Sequence, residues 1–213
     1  HGGILTRRDM AEYRAGLSPT LDVQMNDWTV ATDAPPALGG AVLVAMLLLM
    51  GDRPQEPWTP AELDYLIRVQ RAVLDFRHDH LDNSDDLPGD VQDLLEQASA
   101  DDVHSFLTSP STVHASAVDS AGLACSVTVS AGYGSGVMPP GTGIYMNNSL
   151  GELELNRRGI QAWQPGARLP SNMAPTVARH RDGSVLAIGS PGASRITTAI
   201  QQTLINFMQL GMP

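Results

Sequence analysis

Two segments of the chain hold residues whose types and order could do chemistry. One is Gly189-Ser190-Pro191-Gly192-Ala193-Ser194-Arg195, between the β-prone run Val185 to Ile188 and a helical pattern from Ile196 to Leu210. A glycine-rich turn in that place aims backbone N–H groups at one point, and the helix N-terminus adds partial positive charge. It can hold a phosphate, a carboxylate or a developing oxyanion, with Gly192 and Ala193 at its tip. The GxxxxGK[ST] pattern is missing, which sets nucleotide aside. The same layout also serves as an ordinary strand-to-helix turn. The other segment holds Thr112, where an acidic, broken stretch gives way to a strand behind Ser109-Pro110-Ser111. A threonine hydroxyl is a poor nucleophile until a base takes its proton. A third cluster, His78-Asp79-His80 with Asp82 and Asp85, has metal-ligand residue types. Alternate helix positions do not share a face, so a solvated helix end, and no metal, is expected there.

Composition narrows the chemistry. The chain has 213 residues, with 13 basic and 23 acidic side chains and a net charge of -10. The acidic balance argues against nucleic acid or an anionic membrane as main partner. Every basic residue is arginine, which excludes a Schiff-base lysine, a phosphate-loop lysine and a Ser-Lys dyad within these residues. A single cysteine, Cys125, excludes an internal disulfide, and its alternation with Val127 and Val129 points to the core. Apart from Ala41 to Met50 there is no long apolar stretch, and that one is far short of the ~20 residues that span a bilayer. No signal-peptide pattern is seen. The chain begins at His1 and ends just past a helical pattern, so both ends are expected to be cut.

The elements that must position these residues read as follows. The first ninety or so residues are expected to be helical. Thr6 with Asp9 forms a capping-box variant, Ala37 to Met50 reads as a buried helix ended by Gly51, and Thr59-Pro60-Ala61-Glu62 is a helix start followed by an apolar stripe. Leu87-Pro88-Gly89-Asp90 reads as a turn, and Val91 to Ala98 as a short helix. From Val113 the texture changes to strands. Val113 to Val118 and Leu123 to Val129 form a hairpin, Ile144 to Met146 a short strand, and Ala174 to Arg179 with Val185 to Ile188 a second hairpin.

Thr112-Val113-His114, followed by Ala115-Ser116-Ala117-Val118-Asp119, resembles the start of the small subunit of gamma-glutamyltranspeptidases. Other motifs follow in that family's order. Thr128-Val129-Ser130 leads into Gly134-Ser135-Gly136, Asn147-Asn148 matches paired asparagines, and Arg168 to Thr176 resembles the serine-pair motif. Gly189 to Ile196 resembles the oxyanion loop. Upstream, Gly2-Gly3-Ile4-Leu5-Thr6, Pro35-Pro36 and Gly39-Gly40 resemble part of the large subunit. The resemblance implies an α+β fold of the N-terminal-nucleophile hydrolase type, a four-layer αββα sandwich that is incomplete in this chain. Residues 1–111 would be the C-terminal part of the large-subunit region and residues 112–213 the small-subunit core, both from one precursor.

The resemblance further implies self-cleavage between Ser111 and Thr112. That frees an α-amino group whose ordinary pKa of about 7.7–8.0 lets it serve as base for the hydroxyl on the same residue. A γ-glutamyl ester would form on Thr112, with water, an amino acid or a peptide as acceptor and a glutathione-like molecule as donor. No cofactor is needed. Thr128 would support the nucleophile, and the Gly192 and Ala193 N–H groups would face the oxyanion. Ser130, Ser149, Glu152, Ser171 and Asn172 fall on substrate-binding positions. Glu152 stands for an aspartate, Ser130 for an asparagine, Ser149 for Gln or Glu, Asn172 for the second serine of the pair and Ala193 for a glycine. His114 reads as a packed strand histidine. Two other readings stay open: a related amidase of the glutaryl-cephalosporin acylase type, and a non-catalytic, unprocessed homologue. Bacterial relatives place the family in the periplasm or outside the cell.

Overall fold

The structure is a computed structural model that describes residues 6–51, 58–99, 112–152, 155–159 and 162–212. The first helix, α1 (Arg7–Glu12), starts on the expected box: Thr6 accepts from the Asp9 N–H and Asp9 reaches back to the Thr6 N–H. The region expected to be wholly helical then departs from expectation, because β1 (Thr20–Met25) and β2 (Trp28–Asp33) form a hairpin. Its two-residue turn is Asn26-Asp27, with Asn26 in the left-handed region at φ 51, which asparagine tolerates. Strand pairing prevails here because Leu21, Val23 and Met25 alternate with polar residues and turn one face to the core.

Helix α2 (Leu38–Met50) is buried almost all round and ends at Gly51, φ 53. Helix α3 (Pro60–Asp79) carries a full capping box from Thr59 and Glu62, with Pro60 in the first turn. Helix α4 (Leu87–Ala98) begins earlier than its sequence suggests. Asp86 caps the Gly89 N–H and Pro88 occupies the first turn, so the expected Leu87–Asp90 turn is the helix's own start.

Strands β3 (Thr112–Val118) and β4 (Ala124–Ser130) pair as a hairpin, and β5 (Thr176–His180) and β6 (Val185–Ile188) as another. The expected strand at Ile144 to Met146 is not regular; two backbone bonds tie Met146 to Ser135 and Val137 instead. Strands β1, β2, β5 and β6 make one antiparallel sheet in the order β1-β2-β5-β6. Helix α2 packs on β1 and β2 and is flanked by α3, α4 and α5 (Ile196–Met208). Val23, Met25, Val30 and Ala178 of the sheet join Leu43, Met46, Ile200 and Leu204 of the helices in one core. The β3-β4 hairpin lies against β5 and β6. Helices, sheet and hairpin thus supply three layers of the αββα arrangement.

The hairpin faces the opposite way from the sequence expectation. Its polar face, with Ser126, Thr128 and Ser130, is half-buried, and the Ser126 hydroxyl bonds to the Ile188 carbonyl and the Thr176 N–H. Val113, Val127 and Val129 on the other face are 69%, 46% and 57% exposed. Cys125 shares that face and is exposed rather than core. Alternation fixes which residues share a face, not which face meets the neighbouring sheet.

Candidate active site

Thr112 opens β3 and pairs with Ser130, the last residue of β4. Its hydroxyl donates to Ser130 Oγ at 3.4 Å, and Ser130 Oγ also accepts from the Gly132 N–H at 3.1 Å. Strand alternation puts His114 and Thr128 on the same face, one step along. His114 Nδ1 lies 2.9 Å from Thr128 Oγ1, and Nε2 lies 2.7 Å from Ser116 Oγ. The imidazole packs against Gly189, where any Cβ would collide with the ring. The base of the glycine-rich turn is therefore seated on the hairpin.

After Ser130 the chain turns through Gly132 at φ 60, with no room for a Cβ beside Asn148 Oδ1 and the Glu152 carboxyl. Asn148 Oδ1 accepts from the Tyr133 N–H at 2.6 Å, which clasps residues 131–133 to residues 148–152. Ser149 lies in a single 3-10 turn, and Glu152 just beyond it is 8% exposed. Asn156 fixes this segment by donating from Nδ2 to the Ser149 carbonyl at 2.7 Å and the Glu152 carbonyl at 3.1 Å.

The third wall is residues 170–173. The Ser171 carbonyl accepts the Leu38 and Gly39 N–H groups at 2.8 and 3.2 Å, two of the first-turn donors that α2 cannot satisfy itself. A Cβ on Gly39 would collide with the carbonyls of Asn172 and Met173, so glycine lets the helix start meet this loop. Ser171 Oγ accepts from the Met173 N–H at 3.0 Å. Asn172 is 6% exposed, and neither atom of its amide group has a hydrogen-bond partner among the described residues.

The fourth wall precedes α5. Gly192 has φ 128 and Ala193 φ 49, and Ala193 to Arg195 form a 3-10 turn that runs into the helix. Left-handed backbone is strained for alanine by roughly 1 kcal/mol, and here it holds a 7% exposed residue at a helix start.

These four walls enclose a cavity of about 60 Å³ lined by Thr112, Ser130, Ser149, Glu152, Ser171, Asn172 and Ala193, with Leu155, Pro170, Met173 and Ile196. Its volume matches roughly two water molecules, room for the reacting end of a substrate rather than a whole one. Thr128 and Gly192 do not line it; Thr128 stands behind Thr112, on His114. Ser111 lies outside the described residues, as do Gly2 to Leu5. Asn156, which holds the Ser149–Glu152 wall, carried no sequence signal. The pairing of Arg157 with Asp82 at 3.1 Å carried none either; Asp82 is also held by Arg77 at 2.9 Å. Asp82, expected at a solvated helix end, thus meets Arg77 and Arg157 with its own side chain buried. Against Gly40 at the start of α2, burial pushes the Asp33 carboxyl up to about 7, against a weaker lowering by its own backbone and the Thr32 hydroxyl.

A helix layer on an antiparallel sheet, and a second hairpin that presents a threonine at its first residue beside a glycine-rich helix start, define the N-terminal-nucleophile hydrolase fold. The sequence matches gamma-glutamyltranspeptidase over residues 1–213, and the chain belongs to that family. It is 29% identical to the glutathione hydrolase proenzyme of Pseudomonas aeruginosa, over 99% of this chain and 44% of the relative. It is 25% identical to the glutathione hydrolase proenzyme of Pseudomonas sp. (strain A14), over 99% of this chain and 42% of the relative. The fold matches the crystal structure of cephalosporin acylase from Bacillus halodurans with a TM-score of 0.77 at 21% identity, over 100% of this chain and 41% of the other. The chain therefore spans less than half the length of these relatives.

Proposed function

We propose that the protein of which this chain is part transfers or hydrolyses γ-glutamyl groups through an ester on Thr112, after its own cleavage between Ser111 and Thr112. The observation that carries the reading is the Asn172 amide: buried, without a partner among the described residues, and lining the same cavity as the Thr112 hydroxyl. Buried polar groups are nearly always paired, so this amide calls for a polar ligand at the threonine. Cleavage places a free amine on Thr112, which takes the hydroxyl proton as the oxygen attacks the γ-carbonyl. Charge develops on the carbonyl oxygen, and the N–H groups of the Gly192-Ala193 turn, with the positive end of the α5 dipole, would stabilise it. Ser171 and Asn172 would hold the substrate carboxylate and Glu152 its ammonium. Thr128, anchored on His114, would keep the hairpin face in register behind the nucleophile.

On this reading residues 1–111 belong to the large subunit and residues 112–213 to the small one. Glutathione-like donors, and amino acid, peptide or water acceptors, come with the family, as does a periplasmic or extracellular location. The relatives' names as glutathione hydrolase proenzymes support both the donor and the processing. Serines at 130 and 149 and Asn172 in place of serine favour a second reading on the same scaffold, an amidase for a donor without the α-amino group. Turnover of γ-glutamyl and glutaryl anilides by the full-length protein separates the two. A faster γ-glutamyl rate that is abolished by Thr112→Ala supports the first reading, and a faster glutaryl rate the second. No turnover of either overturns both.

A further inference from the structure

Asp33, the last residue of β2, has no part in the mechanism above, yet it stands among the groups that hold the Ser171–Asn172 wall. Its carboxyl lies against Gly40 in the first turn of α2, where a Cβ would come within 2.7 Å of Asp33 Oδ1. The two N–H groups just before Gly40, those of Leu38 and Gly39, are the ones the Ser171 carbonyl accepts. No side chain caps this helix start. Beside the carboxyl stands the buried Thr32 hydroxyl, 3.3 Å from Asp33 Oδ1 and 3.2 Å from the Pro175 carbonyl. It has one proton for two acceptors. The Thr176 hydroxyl extends the chain, 3.3 Å from Thr32 Oγ1 and 3.0 Å from the Ala174 carbonyl. Asp33 therefore shares both polar neighbours, a hydroxyl and a helix first turn, with residues 171–176.

How they are shared depends on charge. A neutral carboxyl leaves the Thr32 proton to Pro175 and the Leu38 and Gly39 N–H groups to Ser171. A carboxylate accepts roughly twice as strongly and is drawn to a helix N-terminus, so it competes for both. Burial pushes the Asp33 carboxyl up to about 7, which puts the change of charge in the neutral range. No charged neighbour among the described residues contributes to that shift. Neither α2 nor residues 171–176 carry a titratable side chain. On β1, Asp22 pairs with Ala31; on β5, Arg179 and His180 pair with Thr29 and Trp28, toward the other end of the sheet.

We propose that Asp33 is a positioning residue for the donor: neutral, it leaves the wall around Ser171 and Asn172 held for the substrate carboxylate, and ionised, it draws the Thr32 hydroxyl and the α2 first turn away from that wall. The proposal rests on the donor-binding role given to Ser171 and Asn172 above. Donor binding then favours the protonated form. Affinity is full while Asp33 keeps its proton and falls as pH rises through about 7. By reciprocity, a bound donor tightens the hold of Asp33 on its proton by the same factor. Residues far from the reacting carbonyl thus give the donor site a pH dependence separate from that of the Thr112 amine.

The test is the KM of the full-length enzyme for a γ-glutamyl anilide at pH 6 and pH 8. For the wild type it should rise about fivefold, the lower end of the usual coupling between sites. Asp33→Asn is neutral at both and should keep the low value. A residue that only supports the fold would change KM by the same factor at both pH values, so parallel profiles for the two proteins overturn the proposal. Thr32→Val, which removes the shared proton, is the second variant: its KM should start higher at pH 6 and rise less. Amide exchange at residues 38–40, followed by mass spectrometry, needs no turnover and separates this proposal from the reading it rests on. If the protein turns over no γ-glutamyl donor, yet the wild type exchanges faster than Asp33→Asn at pH 8 and equally at pH 6, the link from Asp33 to the helix start stands and the donor reading falls. Equal exchange at both pH values in an active enzyme overturns the link.

Discussion

Thr112 and Ser130 face each other at the open end of the β3-β4 hairpin, and the threonine hydroxyl donates to the serine oxygen at 3.4 Å. That bond sets the hydroxyl's direction before any substrate arrives. Ser130 Oγ also receives the Gly132 N–H, so the orientation is tied to the turn that carries the cleft's second wall. If Thr112 attacks as proposed, Ser130→Ala should reduce kcat/KM on a γ-glutamyl anilide about tenfold, as expected for one neutral hydrogen bond lost at its hydroxyl. Steady-state kinetics on the full-length protein checks it, and an unchanged kcat/KM contradicts it.

Gly39 is where the first turn of α2 meets the Asn172 and Met173 carbonyls. Gly39→Ala forces a Cβ into backbone that cannot yield, so it should destabilise by about 3 kcal/mol. Displacing the Ser171 loop should also raise the donor KM. Denaturant unfolding together with kinetics measures both, and an unaltered midpoint refutes the contact.

Asp33 gives a stability profile with a definite sign. Burial raises its carboxyl from 3.8 to about 7, so the folded chain holds the proton more tightly than the unfolded one. The contribution is fully present below pH 3.8 and lost as pH rises to about 7, at up to about 1.4 kcal/mol per unit. Asp33→Asn removes that slope and should be more stable than the wild type at pH 8. Urea unfolding at a series of pH values tests this; parallel profiles for the two proteins would exclude it.

Asp82, with its side chain 3% exposed, is held between Arg77 and Arg157. Asp82→Ala leaves the buried Arg77 guanidinium without its counter-charge and should cost about 3–5 kcal/mol. Asp85, whose side chain is 86% exposed in its pair with Arg158, makes the control, since Asp85→Ala should cost less than 1 kcal/mol. Equal losses in thermal unfolding would contradict the assignment.

Local physics was the readable part of the fold. The boxes at Thr6 and Thr59, the apolar run of α2 and the two C-terminal hairpins are each decided within a few residues. What escaped depends on distant partners. The alternation of Leu21, Val23 and Met25 was visible, but it gains meaning only when β2 pairs with β5 far along the chain. Cys125 reads as core from the sequence because alternation carries no sign; the hairpin turns its polar face, with Thr112 and Ser130, inward. The cleft residues were legible through ordered motifs. Asn156, Trp163 and the Arg77–Asp82–Arg157 cluster belong to no motif and are brought together by the fold alone.

The central claim is scission that gives Thr112 its free amine. Intact mass of the full-length protein, followed over time after purification, tests it most directly. Two fragments should appear whose masses place the break between Ser111 and Thr112, while Thr112→Ala should remain a single chain. One persistent mass for the wild type, or a break at another bond, would contradict the account.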